Sequence, residues 1–194
     1  MFKSQFADKR AVKTHQAIQE AFQALVARKN CDEISVADIT NEADVNRKTF
    51  YQYYDYREDI FDEMVQGIVD RYEQAMIVDA VLPPPTSYDF YVRFFTFFAE
   101  QKPYVDQVIT NSTYGMYRAR IVEECAKVNR RRRNMYIAMN DEERALFQNY
   151  CAHNMVAMYA RWVELGKTIP LDHLIAFAYK IDFQGRQAFF DYEE

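Results

Sequence analysis

The chain has 194 residues, 49% of them hydrophobic and 27% charged, which excludes a disordered polypeptide and allows a small module joined to a larger domain. A net charge of -5 excludes a histone-like, generally basic binder but leaves room for a local cationic face. Four glycines, five prolines and no alternating β-branched run favour an all-α fold.

The first predicted helix covers 9–29, where Ile18, Ala21, Phe22, Leu25 and Val26 recur at helical spacing on one face. A second begins at Ser35, a capping residue with Asp38 three positions on, and turns Val36 and Ile39 inward. Ala43-Asp44-Val45 reads as a tight turn. The third helix runs from about 46 to 53, with Val45, Phe50 and Tyr54 as anchors against the first. Two short helices joined by a tight turn, the second rich in donors, describe a helix-turn-helix, which places its second helix in the DNA major groove.

Asp55 is expected to cap a fourth helix, with Glu58 three residues later, and a stripe from Ile60 through Tyr72 carries it to about 79. Pro83-Pro84-Pro85 then enforces a stiff loop. Further helices are predicted at about 88–101, 104–109, 113–133, 141–165 and 171–190. The breaks fall at Pro103, Asn111-Ser112, Asn140-Asp141 and Gly166 to Pro170.

Cys31, Cys125 and Cys151 are odd in number and far apart, matching neither a metal spacing nor a disulfide framework. The first six residues lack the apolar core of a signal peptide. The most apolar stretch, 90–99, is too short to span a bilayer and holds Arg93. A cytoplasmic protein without a membrane partner is expected. His15, His153 and His173 are scattered, and no Gly-rich phosphate loop or nucleophile elbow occurs, so neither catalysis nor a metal or other cofactor is expected.

Within the third helix Arg47 and Lys48 are candidates to donate to guanine O6 and N7. Thr49, Tyr51 and Tyr53 are candidates to donate to phosphate oxygens, and Arg57 to clamp a further phosphate. Ser35 and Asn46, at the starts of the two helices, join that set. A solvated polar face is the plainer reading of any isolated cation pair, but here hydroxyls accompany the cations above an apolar pattern. The later helices are dense in Phe, Tyr and Met. Phe94, Phe98, Tyr117, Tyr136, Tyr150, Met155 and Tyr159 are candidate walls of a ligand pocket, since phenols combine an apolar wall with a polar tip. Ala157, Leu174, Ala178, Ile181 and Gly185 mark a candidate dimer seam, where small residues permit close approach and the 141–165 helix carries two apolar stripes. The run Arg130-Arg131-Arg132-Arg133 points all round a helix and reads as a solvated helix end.

The first third of the chain resembles the TetR family of one-component transcriptional regulators. The resemblance is carried by Arg10, Thr14, Ile18, Ala21-Phe22 and Leu25, then Ile34 through Ile39 and Ala43, then Val45 through Tyr54 with Arg57, Asp59 and Ile60. Three positions depart from the family pattern: Asp44 stands where the turn normally has Gly, Tyr53 where His is frequent, and Arg57 where Lys is frequent. The resemblance implies a helix-turn-helix domain over 1–55 and a ligand-binding and dimerisation domain over 56–194, with the fourth helix as connector. It also implies that Thr14 contacts the DNA backbone. The expected protein is a homodimeric repressor of double-stranded DNA that a small apolar or amphipathic effector releases from a palindromic operator. The alternative is an interaction protein, such as a co-activator, that keeps the fold and acts through a protein partner; it would have no use for Arg47, Lys48, Thr49 and Tyr51.

Overall fold

The computed structural model describes residues 9–76, 87–130 and 140–184, and among them every regular element is helical. The helices are α1 (Lys9–Val26), α2 (Val36–Glu42), α3 (Arg47–Tyr53), α4 (Arg57–Met76), α5 (Ser87–Ala99), α6 (Pro103–Thr110), α7 (Gly115–Arg130), α8 (Asp141–Glu164) and α9 (Leu171–Gln184). Short 3-10 turns occupy Cys31–Glu33 and Ser112–Tyr114. No described helix is long and apolar enough to cross a membrane. The Pro83-Pro84-Pro85 loop, Arg131 to Arg133, Tyr136 and Gly185 lie outside the described residues.

The chain packs as two units. The first joins the described residues up to 68 with 102–120, and the second joins 69–101 with the described residues from 121 onward. The division of roles expected at 55/56 is therefore not the packing boundary, because α6 and the first turns of α7 pack with the N-terminal helices.

In the first unit, α1 buries Ile18, Ala21, Phe22, Leu25 and Val26, the stripe its sequence spells. It ends at Val26 rather than at residue 29, because the amides of Arg28 and Lys29 both turn back to the Leu25 carbonyl. Phe61 of α4 forms the centre of this core. It meets Phe22 edge-on at 4.6 Å and stacks on Tyr117 of α7 at 4.6 Å. Aromatic pairs of this kind add about 0.5–1.5 kcal/mol beyond burial, so Phe61→Ala should cost about 3–5 kcal/mol. Tyr114 is fully buried, and its hydroxyl donates to the Lys29 carbonyl at 2.7 Å. Asn111 donates to the Asn30 side chain at 2.9 Å, and the Cys31 amide donates to Thr113 Oγ1 at 3.1 Å. The segment between α1 and α2 is thus held by side chains from the α6–α7 connection.

At the start of α4 the Asp59 carboxylate reaches back to accept from the amides of Asp55 and Tyr56, at 2.9 and 2.8 Å, and so fixes the entry of the chain into the helix.

The second unit is aromatic. Tyr72 packs edge-on against Phe97 at 5.3 Å, and Phe98 lies 4.9 Å from Phe94 and 5.5 Å from Tyr159. The buried phenols are all paired: Tyr159 donates to the Phe98 carbonyl at 2.8 Å, and Tyr72 to Asn129 Oδ1 at 2.9 Å. α8 ends in a glycine-turned cap, with Gly166 at φ 73 and the Lys167 amide donating to the Trp162 carbonyl at 2.9 Å. All three cysteines are free and buried, and burial pushes each thiol up, Cys151 to about 12.

Candidate nucleic-acid interface

The frame of the interface is α2 and α3. Ser35 caps α2 by accepting from the Asp38 amide at 3.1 Å, and Asp38 returns a carboxylate to the Ser35 amide at 2.9 Å. Hydrogen bonds from Lys29 and Ser35 hold the Asp38 carboxyl well below the usual carboxylate range. Lys29 reaches Asp38 at 2.7 Å and Arg28 reaches Glu42 at 2.6 Å, so the end of α1 is tied to both ends of α2. Ile39 and Thr40 are buried beneath.

The turn from α2 into α3 is a left-handed cap. Asp44 sits at φ 52, its amide donates to the Asn41 carbonyl at 3.3 Å, and the Val45 amide donates to the Thr40 carbonyl at 3.0 Å. This is the Schellman pattern with Asp in the place that Gly usually fills. Asp tolerates that conformation better than most residues, at some cost in strain. Asn46 then caps α3, accepting from the Thr49 amide at 2.8 Å.

On α3, Phe50 and Tyr53 are buried, with Tyr54 just beyond, while Arg47, Lys48, Tyr51 and Gln52 share the exposed side. Tyr51 is 48% exposed although its ring rests edge-on against Phe50. Tyr53 donates its hydroxyl to the Ala11 carbonyl at 3.0 Å and stacks on His15. That bond brings the cationic start of α1 beside the end of α3. Lys9, Lys13, Arg47 and Lys48 have no ion-pair partner among the described residues. Gln52, Lys9 and Lys13 were missed by sequence reasoning. The signal for the lysines was present: the first eleven residues of α1 carry Lys9, Arg10 and Lys13 and no acid.

The other expected donors are engaged within the protein. Thr14 gives its hydroxyl to the Arg10 carbonyl at 3.0 Å. Ser35 donates to Asp38, and Thr49 donates to Asn46 Oδ1 at 3.0 Å. Two assignments need correction. The Tyr53 hydroxyl is committed to Ala11, so it fixes α3 rather than donating to phosphate. Arg57 turns inward: one nitrogen donates to the carbonyls of Cys31 and Ile34, at 3.1 and 2.8 Å, and its guanidinium lies 5.4 Å over the Phe61 ring. Glu58 takes what remains at 3.1 Å. Arg57 positions the α1–α2 segment; a phosphate would have to displace those partners.

Behind α3 is a polar cluster. Tyr54 donates to Glu63 Oε2 at 2.6 Å, and His15 Nε2 lies 3.2 Å from the same oxygen and 3.0 Å from the Tyr54 hydroxyl. Burial pushes the Glu63 carboxyl up, but hydrogen bonds from His15 and Tyr54 outweigh it and leave it below the usual range. Burial and the Glu63 carboxylate together push the Tyr54 phenol up.

The expected pocket residues do not form one group. Phe94, Phe98, Met155 and Tyr159 are buried together in the second unit. Tyr117 belongs to the first unit, stacked on Phe61, and Tyr150 is 56% exposed on α8. Neither therefore lies with that buried group. The expected dimer residues divide as well. Leu174 and Ala178 are 4% and 0% exposed in the protomer's own core, so they offer a partner almost no surface. Ala157 is exposed and Ile181 half-buried. The open apolar surface of these helices is Leu146, Tyr150 and Ala157 on α8, with Phe177 on α9, the last 43% exposed.

No protein-family profile matches the chain. A stretch of 60 residues, 30% of the chain, is 37% identical to the uncharacterized HTH-type transcriptional regulator YxbF of Bacillus subtilis (strain 168), and it spans 16% of that relative's length. The fold is similar to a TetR transcriptional regulator from Streptococcus agalactiae 2603V, with a TM-score of 0.69 and 18% identity, over 90% of this chain and 96% of the other. It is also similar to NalD, the secondary repressor of the MexAB-OprM multidrug efflux pump in Pseudomonas aeruginosa, with a TM-score of 0.70 and 14% identity, over 91% of this chain and 97% of the other. At these identities the likeness is one of fold.

Proposed function

We propose that this chain, which has the all-helical fold of the TetR-family regulators, is a homodimeric DNA-binding transcriptional regulator released from a palindromic operator by a small ligand. One observation carries the reading: α3 presents Arg47, Lys48 and Tyr51 to solvent on a frame capped at every helix start and tied to α1. Residues 1–55 carry the DNA contacts. Arg47 and Lys48 read base edges, while Tyr51, with Lys9 and Lys13 of α1, contacts phosphates. Asn46 and Thr49 contribute through the hydrogen-bonded start of α3, and Thr14 from early in α1.

Residues 56–194 dimerise and bind the effector. The exposed apolar stripe of α8, with Phe177 of α9, is the proposed seam, because large apolar side chains in the open imply a covering surface. One helix-turn-helix buries too little for tight specific binding, and two related by a twofold read a palindrome. The role is that of a repressor, and the effector is an apolar or amphipathic small molecule.

Selection from random duplex DNA at moderate salt tests the reading. It should enrich a palindrome, and affinity should fall linearly on a log–log plot as salt releases counterions. Recovery of no enriched palindrome would reject DNA reading and favour the protein-partner alternative.

A further inference from the structure

Asp182 lies on α9, and its Oδ2 accepts a hydrogen bond from the Tyr91 hydroxyl at 2.7 Å. Its other oxygen, Oδ1, is buried and has no hydrogen-bond partner among the described residues. One turn earlier on α9 is Tyr179, on the same side of the helix. Tyr179 meets Tyr88 and Tyr91 of α5 edge-on, at 5.2 and 5.6 Å. Tyr91 is buried, whereas Tyr88 is 39% exposed, so this ring cluster opens to solvent at Tyr88. All four residues belong to the second unit.

A buried carboxylate oxygen without a donor has lost its water and gained nothing in return. Such orphans are rare in folded proteins. Burial pushes the Asp182 carboxyl up, and the Tyr91 donor opposes that. The missing group is a donor. No basic side chain among the described residues fills the place. An ammonium group does so with a charge-assisted hydrogen bond, and tyrosine faces attract the same charge.

We propose that Asp182, Tyr91, Tyr179 and Tyr88 form a binding site for an amphipathic organic amine. The ammonium N–H donates to Asp182 Oδ1, and the phenol rings pack the apolar part. This rests on the reading of the second unit as effector-binding and narrows the effector to a cation. It gives the Tyr91–Asp182 pair a purpose beyond holding α5 to α9, since an apolar pair of the same size would hold them without an orphaned oxygen.

Calorimetric titration of the full-length protein with 2-phenylethylamine and its neutral isostere 2-phenylethanol tests the site. The amine should bind at least about tenfold more tightly, the scale of a hydrogen bond to a charged group. Asp182→Asn should abolish that preference with helical content kept, and Tyr91→Phe should retain it. Equal affinities, no heat from either compound, or a preference that survives in Asp182→Asn would overturn the proposal. A purely structural pair predicts a different signature: Asp182→Asn lowers the melting temperature and moves neither affinity. Operator titration with and without the amine separates this inference from the functional reading. An amine that binds through Asp182 yet leaves DNA affinity unchanged upholds the site and rejects it as the effector site. An uncharged ligand that releases DNA while the amine shows no preference does the reverse.

Discussion

The Tyr53 hydroxyl donates to the Ala11 carbonyl at 3.0 Å, so the last turn of α3 is fastened to the first turns of α1. The neighbouring phenol, Tyr51, is solvent-exposed on the other side of the same helix. Two tyrosines two positions apart therefore have different tasks, and removing their hydroxyls should separate them. Tyr53→Phe should cost about 0.5–1.5 kcal/mol of stability and weaken all duplexes alike. Tyr51→Phe should leave the urea midpoint unchanged and weaken DNA binding only. Chemical denaturation alongside duplex titration decides between them; a stability loss in both would mean that Tyr51 is a packing residue.

Arg57→Ala should act on folding rather than on salt dependence. Its loss removes a donor from the carbonyls of Cys31 and Ile34 and a cation from the Phe61 ring, at a cost of about 1–3 kcal/mol. The log–log salt slope should stay that of the parent protein, because the guanidinium neutralises no phosphate. Lys48→Ala should do the opposite, with unchanged stability and about 1–3 kcal/mol less discrimination if it reads a base. A shallower slope in Arg57→Ala would return this residue to the DNA contacts.

Asp44 occupies the left-handed position of the α2–α3 turn with a Cβ that the conformation disfavours. Asp44→Gly should therefore raise stability by up to about 1 kcal/mol, net of the added freedom of the unfolded chain. Asp44→Ala should lower it by a similar amount. Thermal melts of the three proteins are sufficient, and an Ala variant as stable as the Gly variant would show that φ is relaxed elsewhere.

Glu63 gives the domain a dependence on acid. Its folded carboxyl titrates below the ordinary 4.5, so its contribution is fully present above that value and is lost as pH falls through the lower folded value. Glu63→Gln should be less stable than the parent at neutral pH, and the two melting curves should converge as pH drops below about 4. A constant gap across that range would place the titrating group elsewhere.

Ala157→Arg should break the dimer. An exposed Ala on the α8 stripe leaves room for close approach, and a long charged side chain buried there without a partner is costly. Sedimentation should show monomer with helical content intact and operator binding lost. A dimer that survives would move the seam off α8.

The first third of the chain was legible in unusual detail. Ser35 with Asp38, the Asp44 turn and the Phe50 anchor follow from local rules: a cap, a left-handed residue, a helical period. What the sequence concealed was direction. Arg57 and Tyr53 carry the right chemistry for phosphate, yet both spend it on backbone carbonyls brought near only by tertiary packing. The same limit explains the seam. Leu174 and Ala178 share a helical stripe suited to a partner helix, but α9 packs against α5 and α8 and that stripe is buried within the protein, leaving Phe177 outside. Tyr117 was misplaced because α7 runs through both packing units and residues 115–120 belong to the first. Asp182 carries no signal in the sequence, since a single carboxylate becomes unusual only through its burial.

The unpaired lysines and arginine of α1 and α3 belong to a protein whose net charge is -5. Such a molecule meets a duplex under two opposed forces: its net charge is repelled by the phosphates, while the cations of this face are drawn to them. Long-range repulsion thus screens out misoriented encounters that a uniformly basic protein would accept as non-specific complexes. The expected kinetic mark is an association rate that rises as salt is lowered, while residence on unrelated DNA stays brief.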